Sequence, residues 1–455
     1  MKSGRRSCRP CGLTHMKRIH MNYRFDLFDM IYCISSTCDL ISNEIADHHN
    51  QVAFLAVNIA RELDFTVEQQ RNIFIAGLLH DIGAFSTKER RELLLSEADD
   101  IHDHALIGAS LLENFEPLKN VAEIIRYHHL PWGNGAGRLA GGRSVSPESH
   151  VIHLADRVAV QIDPKREIIG QADIIRENIR SLSGRLFVPE FVDAFLELSK
   201  REYLWFSVIN KPLMSRLPDL MNFTAIGLSL DETVSISEIF ANIIDFRSPF
   251  TARHSIGVAA VAEKLAELSG FTEKECKMML IAGYLHDLGK LAIDNDILEK
   301  NGALSEEEYN IIKTHTFHTY RTLQVIKGFE VINNWASLHH EKLNGAGYPF
   351  HLKAGDIPPG SRIMAVADTF TALLEDRPYR RGIGLKNAVA TIGEMVDSGL
   401  LCPAVFKTLM ANLEELDAVR MAAQERAGNR YELIHAVLAE PLAAALSAPA
   451  RGIQN

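Results

Sequence analysis

The amino-acid sequence predicts an all-α protein made of two tandem helical domains that are related by internal duplication. One set of histidines and aspartates occurs in both halves of the chain, in the same order and at nearly the same spacing. Apolar residues around these sets recur at steps of three and four, the period of an amphipathic helix, and alternating strand patterns are scarce. A length of 455 residues agrees with two domains of about 200 residues each.

The repeated residues form two sets, which we call cage one and cage two. The offset between them is 206 residues at the first histidine (254 − 48) and at the His-Asp pair (286 − 80), 211 at the third histidine (315 − 104) and 212 at the last aspartate (368 − 156). Since only 19 of the 455 residues are histidine, five in register indicate duplication rather than chance. Cage one comprises His48, His80, Asp81, His104, His128, His129 and Asp156, and cage two comprises His254, His286, Asp287, His315, His339, His340 and Asp368.

Two predicted helices in each half carry the start of each set. The first begins at the leading histidine and has apolar residues on one face. The second is apolar and ends at the His-Asp pair, in IFIAGLLHDIG (73–83) and in LIAGYLHDLGK (280–290). Glycine-rich loops at 131–149 and 347–361 follow the His-His pairs. The apolar face of the first helix is marked by Val52, Leu55, Ala56, Ile59 and Leu63 in one half, and by Val258, Val261, Ala262 and Leu265 in the other.

These patterns set the expected boundaries. Residues 1–21 are expected to be a disordered or artefactual extension, 22–208 the first domain, 209–230 a proline-interrupted connector, 231–440 the second domain, and 441–455 a frayed tail. Cys8 and Cys11 have zinc-knuckle spacing, but no second pair accompanies them, so the extension is not predicted to bind metal.

Composition narrows the class of function. A net charge of −10 argues against a surface for DNA or RNA polymers. No apolar run approaches the roughly 18 residues of a membrane span, and the basic start is not followed by the apolar segment of a secretory signal. Six cysteines without a dense framework fit a reducing compartment. We therefore expect a cytoplasmic protein that holds any anionic substrate with locally placed cations.

The cages have the chemistry of a two-metal site. Five imidazoles and two carboxylates suit two ions better than one, and favour iron, manganese or zinc over magnesium or calcium. Two-metal sites supply a nucleophile near neutral pH and clamp a phosphoryl group for in-line displacement. Lys290 lies on the same helical face as His286 and Asp287, where an ammonium could neutralise charge that builds on a phosphate.

The string HDLGK followed by HHEKLNGAGYP (339–349) resembles the HD-GYP branch of the HD phosphohydrolase superfamily, and the resemblance covers about residues 235–415. It implies two tandem HD-type helical domains, a di-iron or di-manganese centre, and hydrolysis of a cyclic dinucleotide, chiefly cyclic di-GMP, to a linear dinucleotide. Asn344 stands where the family usually has Asp, a change that we interpret as tolerated. Phe250 stands where some members carry a Glu that holds a third metal, which favours two ions.

The resemblance also implies roles for single residues. All of cage two would bind the metals. Lys290 would contact the scissile phosphate, and Glu341 would orient a metal-binding histidine through a hydrogen bond. Gly347, Tyr348 and Pro349 would form the loop beside the nucleotide. Arg377 would contact a phosphate group.

The first copy keeps every cage residue but not its surroundings. Ala84 stands in the place of Lys290, Leu130 in that of Glu341, and Arg138-Leu139 in that of the Tyr-Pro pair. This pattern favours a regulatory or scaffolding domain with a possible metal site of its own, and a slow second hydrolase is the alternative.

Two other interpretations of the whole chain stay open. One is hydrolysis of a hybrid GMP–AMP cyclic dinucleotide or of another nucleotide, because no motif marks the contacts that read the bases. The other is a sensor without enzymatic activity that passes a signal to a homodimer partner or another protein. The intact second copy, with Lys290 and Glu341, favours the enzyme.

Overall fold

The computed structural model describes residues 24–39, 47–84, 103–210, 223–246, 252–376 and 381–438. The extension, the tail, most of the connector, Phe250 and Arg377 lie outside them. The all-α prediction is confirmed, since two two-stranded pairs are the only sheet within these ranges. The first half contains β1 (Phe25–Asp26), α1 (Leu27–Asp39), α2 (His48–Glu62), α3 (Val67–Leu79), α4 (Asp103–Leu112), α5 (Lys119–Arg126), β2 (Leu139–Ala140), β3 (Arg143–Ser144), α6 (Pro147–Ala159), α7 (Ile169–Ser181), α8 (Pro189–Leu198) and α9 (Glu202–Val208).

The second half, like the first, begins with a short strand that is followed by a series of helices. It contains β4 (Gly227–Leu228), α10 (Leu230–Asp245), α11 (His254–Leu268), α12 (Glu273–Leu285), α13 (Asn295–Leu298), α14 (Glu306–Leu323), α15 (Glu330–Ser337), α16 (Pro359–Leu374), α17 (Leu385–Asp397), α18 (Pro403–Ala411) and α19 (Leu413–Leu438). Short segments of 3-10 helix lie at Glu116–Leu118, Gly133–Arg138 and Leu288–Ala292. No helix in the described ranges is both long and apolar enough to cross a membrane.

The two halves also share a close helix crossing. In each half, the first two helices of the cage cross closely at a glycine: a Cβ on Gly77 would lie 2.6 Å from Ala53 Cα, and one on Gly283 would lie 2.4 Å from Ala259 Cα. Such distances exclude a side chain, so the crossing fixes the position of the His-Asp pair at the end of the second helix.

The two halves also share their helix start signals and one core. Thr66 and Thr272 each form a capping box with the residue three positions on, which satisfies backbone N–H groups at the start of α3 and α12. Buried apolar residues from Phe25 to Ile434 belong to one continuous hydrophobic cluster.

The halves interlock through equivalent surfaces. Strand β1 pairs with β4, its own counterpart, in antiparallel register. Helix α1 of the first half packs on α14 and on the turn that carries Lys290, while α10 and α19 of the second half pack on α4. Across this boundary the Phe25 and Phe329 rings meet edge to face at 4.7 Å, and Thr37 donates a hydrogen bond to Thr322. Equivalent elements of the two halves therefore contact each other across the boundary, as they would at the interface of a two-fold symmetric dimer.

Candidate metal centres and active site

Cage two is assembled at the ends of four helices and on a fifth. His254 opens α11, the His-Asp pair follows α12, His315 lies on α14, the His-His pair follows α15, and Asp368 lies on α16. All seven predicted residues converge. Except for half-buried His340, they are buried.

Asp287 lies between two groups of ligand atoms. Its Oδ2 is 3.2 Å from His286 Nε2 and 3.6 Å from His254 Nε2, while its Oδ1 is 3.5 Å from His315 Nε2. Asp368 Oδ1 is 3.4 Å from His254 Nε2. Ligands about 2.1 Å from one metal ion are roughly 3–4 Å from each other, so one carboxylate oxygen faces each of two ion-sized positions.

Backbone carbonyls orient the imidazoles. The Nδ1 atoms of His286, His315 and His339 lie 2.6–2.7 Å from the carbonyl oxygens three residues earlier. A carbonyl can only accept, so Nδ1 carries the proton and donates. The bare Nε2 atoms therefore face the centre of the cage, as metal ligation requires.

His254 is oriented by a carboxylate that the sequence analysis missed. Glu375, just after α16, accepts from His254 Nδ1 at 2.8 Å. The other Glu375 oxygen accepts from Gln424 on α19, and Arg420 donates to Gln424 at 2.6 Å. A charged residue seven positions after Asp368 carries no pattern of its own, so only the folded chain identifies it.

The electrostatics keep two carboxylates and two imidazoles of cage two in the forms that bind metal. Burial opposes ionisation of Asp287 and Asp368, but the surrounding cations and histidines hold the pKa of both carboxyls well below its usual value. Burial lowers the pKa of His315 to about 4 and that of His339 to about 3. Neutral imidazoles and ionised carboxylates are the species that bind metals.

Lys290 and Tyr348 stand at the rim of cage two. Lys290 is half-buried and its Nζ donates to Asp287 Oδ2 at 2.6 Å. The Tyr348 ring lies 4.9 Å from the His340 ring. Gly347 is forced by close approach, because a Cβ there would lie 2.3 Å from the backbone nitrogen of Lys342.

Glu341 does not make the predicted hydrogen bond to a metal-binding histidine. Its buried carboxylate accepts from the backbone N–H groups of Phe350 at 2.7 Å and Leu352 at 2.9 Å, rather than from a metal-facing histidine. Glu341 therefore fastens the glycine-rich loop onto the cage. Asn344 accepts from the backbone of Ala346 at 3.0 Å, a turn that an Asp would also make.

Cage one repeats the geometry. Asp81 Oδ2 is 3.2 Å from His80 Nε2, Asp81 Oδ1 is 3.2 Å from His104 Nε2, and Asp156 Oδ1 is 3.2 Å from His48 Nε2. The Nδ1 atoms of His80 and His128 again face backbone carbonyls, and His129 stands among the remaining cage atoms. All seven residues predicted for cage one therefore lie together in the structure.

The surroundings of cage one differ from those of cage two. Ala84 is buried and presents no cation. Leu130 packs with Tyr127, Ala140 and Val145 beside the β2–β3 pair, in the place of the loop that Glu341 holds. Arg157 donates two hydrogen bonds, of 2.9 and 2.7 Å, to Asp156 Oδ2.

Both cages fit metal ions. Besides their spacing, buried cage atoms lack a well-aligned hydrogen-bond partner among the described residues: Nε2 of His80, Oδ1 of Asp81 and Nε2 of His286. Burying such atoms is unfavourable unless another group satisfies them, and an ion at the centre of each cage would do so.

Comparison with known proteins places this geometry in a family. HD domain family models match residues 45–161 and 238–405. The 3′3′-cGAMP-specific phosphodiesterase 1 of Vibrio cholerae is 32% identical over 410 residues, covering 88% of this chain and 95% of that protein. A cyclic di-GMP phosphodiesterase of Thermotoga maritima is 33% identical over 195 residues, covering 42% of this chain and 52% of that protein.

A solved structure shares the whole fold. The crystal structure of a cyclic GMP-AMP-specific phosphodiesterase from Vibrio cholerae has a TM-score of 0.61 to this chain at 21% identity, covering 86% of this chain and 98% of that one. The tandem duplication, the paired His-Asp cages and the end-to-end similarity lead to one conclusion: the chain belongs to the HD-family cyclic dinucleotide phosphodiesterases, with two HD domains in tandem.

Proposed function

We propose that this protein hydrolyses 3′3′-cGAMP to a linear dinucleotide and that the chemistry takes place in cage two. The substrate proposal rests on one observation. A relative that is similar over 95% of its own length is named for 3′3′-cGAMP. Cyclic di-GMP, which the sequence motif alone favours, is the second candidate, because a relative named for it matches over less than half of this chain.

The preference for cage two rests on Lys290. Hydrolysis joins a water oxygen to phosphorus, breaks the bond from phosphorus to one ribose oxygen, and gives that oxygen a proton. Negative charge grows on the phosphoryl oxygens during this exchange. The Lys290 ammonium is held at the rim by its 2.6 Å contact with Asp287 and can donate to such an oxygen, whereas cage one has Ala84 there.

The loop beside cage two is built to hold a nucleotide in place. Glu341 fixes the loop backbone at two N–H groups, and Gly347 lets it approach the end of the His-His segment. Tyr348 is thereby set against the His340 ring, where an aromatic face can contact a base or ribose. Arg377 remains a proposed phosphate contact from the sequence motif.

We further propose two transition-metal ions in cage two, iron or manganese. One would be held by His254, His286, Asp287 and Asp368, and the other by Asp287 with the three remaining histidines. Such a pair supplies a nucleophile near neutral pH and counters phosphoryl charge. The donor set of imidazoles and two carboxylates disfavours magnesium and calcium.

The test is a substrate panel with the full-length chain loaded with Mn²⁺ or Fe²⁺. We expect kcat/KM for 3′3′-cGAMP to exceed that for cyclic di-GMP and cyclic di-AMP by at least about tenfold, since a site that reads base edges rejects an unmatched base strongly. An equal or higher value for cyclic di-GMP would select the second candidate. Tight binding without turnover of any of the three would establish a sensor instead.

A further inference from the structure

Cage one contains an imidazole where cage two contains a hydroxyl. His49 occupies the position of Ser255, 206 residues later (255 − 49). In cage two, the Ser255 backbone N–H and hydroxyl donate to the buried carboxylate of Asp245 at 2.7 and 2.8 Å, so this position faces away from metal chemistry.

His49 lies within reach of the atoms that already form cage one. It is buried at the start of α2, next to His48, with its ring centroid 5.3 Å from that of His80 and 5.8 Å from that of His48. One nitrogen of His49, one nitrogen of His80 and one oxygen of Asp81 all lie within 4.8 Å of one another. The three residues thus each present one potential ligand atom to the same small volume.

The alternative is that His49 is an ordinary core histidine. Helix α2 otherwise faces the core with aliphatic and aromatic side chains such as Val52 and Phe54. A buried imidazole at its first turn, beside two more imidazoles and an ionised carboxylate, matches the composition of a ligand set rather than that of the core.

We propose that His49 is a metal ligand of cage one, which joins His80 and Asp81 at a position where cage two has Ser255. Cage one then offers eight potential ligand residues against seven in cage two, and the additional one is nitrogen. More nitrogen ligands favour Zn²⁺ over Mn²⁺ and fill coordination positions that substrate or water would otherwise take. Closed coordination is the character of a structural metal site, and open coordination that of a catalytic one.

The test uses the full-length chain with His286→Ala and Asp287→Ala, so that cage two is disabled and metal binding reports on cage one. Zn²⁺ affinity is measured by competition with a chelator, and bound zinc is counted by elemental analysis. Adding His49→Ser, the residue that cage two tolerates, is expected to weaken Zn²⁺ binding at least about 100-fold, because even an indirect partner of a ligand contributes 10- to 100-fold.

A matched control separates ligation from packing. His150 is also buried in the first domain, and its Nε2 faces the Gly137 carbonyl oxygen at 3.1 Å. His150→Ser is expected to lower the metal-free unfolding temperature but to leave the Zn²⁺ affinity within about threefold of the parent. If His49→Ser does not fold, His49→Gln keeps the volume without the imidazole and is measured in the same way.

Two outcomes would overturn the inference. The first is unchanged Zn²⁺ affinity in a folded His49 variant. The second is a parent protein, with cage two disabled, that binds no Zn²⁺ at all. Neither outcome bears on hydrolysis by cage two, which is assayed separately with cage one varied and cage two intact.

Discussion

Cage one and cage two have the same histidines and aspartates on equivalent helices, but the residues around the two sets differ. In cage two a lysine ammonium contacts the bridging carboxylate, and a glutamate fastens the neighbouring loop. In cage one an alanine and a leucine stand there, and Arg157 covers the outer oxygen of Asp156. The comparison teaches that a set of metal-binding residue types can persist with the fold while the residues around it change.

The largest difference should appear when each bridging pair is removed. His286→Ala with Asp287→Ala deletes one nitrogen ligand and the carboxylate shared by both metal positions, so hydrolysis should fall by at least about a thousandfold. His80→Ala with Asp81→Ala should leave hydrolysis in the folded chain within a few-fold of the parent. The measurement is turnover by the two full-length variants. Comparable losses of turnover in both would contradict the proposal that hydrolysis takes place in cage two.

The next largest effect should come from Lys290. Lys290→Ala should lower kcat by about 100- to 1000-fold with little change in bound metal, because one fixed electrostatic contact to the transition state is lost. Lys264 on α11 pairs with Glu267 and Glu415 on the surface, and Lys264→Ala is the control that should not affect kcat. A kcat near that of the parent for Lys290→Ala would show that cage one lacks nothing essential at Ala84.

Glu375 offers a smaller effect that reports on metal rather than chemistry. Glu375→Gln weakens the acceptor for His254 Nδ1, so the metal dissociation constant of cage two should rise about 10- to 100-fold. Excess metal should then restore most of the turnover, whereas it should not rescue Lys290→Ala. An unchanged dissociation constant would mean that Glu375 acts only in packing.

The pH dependence of metal binding should also separate the cages. Burial lowers the pKa of His80, but Asp81 and Asp156 outweigh it and raise the value to about 9. Below pH 9 an ion entering cage one must displace this proton, so affinity should rise about tenfold per pH unit between pH 7 and 9 and level off above. His315 and His339, with values of about 4 and 3, have no proton to displace there.

Calorimetry in buffers of different ionisation enthalpy would count the protons released. About one proton per chain, from His80, is expected as cage one fills at pH 7.5, measured with cage two disabled, and close to none from His315 and His339 of cage two. Equal release by the two cages would contradict the contrast drawn here.

Much of this arrangement could be predicted from the sequence, and the reasons are local. Repeated His-Asp pairs, helical periodicity and glycine-rich loops are short-range patterns, so they predicted the fold and all fourteen cage residues that converge in the structure. His49 was within reach of the same reasoning, since its replacement by Ser255 is visible once the halves are aligned.

Other features depend on contacts that no short pattern encodes. Glu375 meets His254 across 121 residues of sequence. The carboxylate of Glu341 turns to a loop backbone instead of a ring, which only the loop path decides. The packing of α1 on the second half, and of α19 on the first half, could not be predicted from the sequence either. The pattern of an amphipathic helix shows which face is apolar but not which element covers that face.

The pairing of β1 with its own counterpart β4 has an evolutionary consequence. A two-fold interface between identical chains ties both active sites to one gene, so any substitution appears in both at once. Joining the two copies end to end keeps the interface while giving each site its own codons. The two copies can then differ at single positions, as they do at Ala84 and Lys290, which the identical chains of a homodimer cannot.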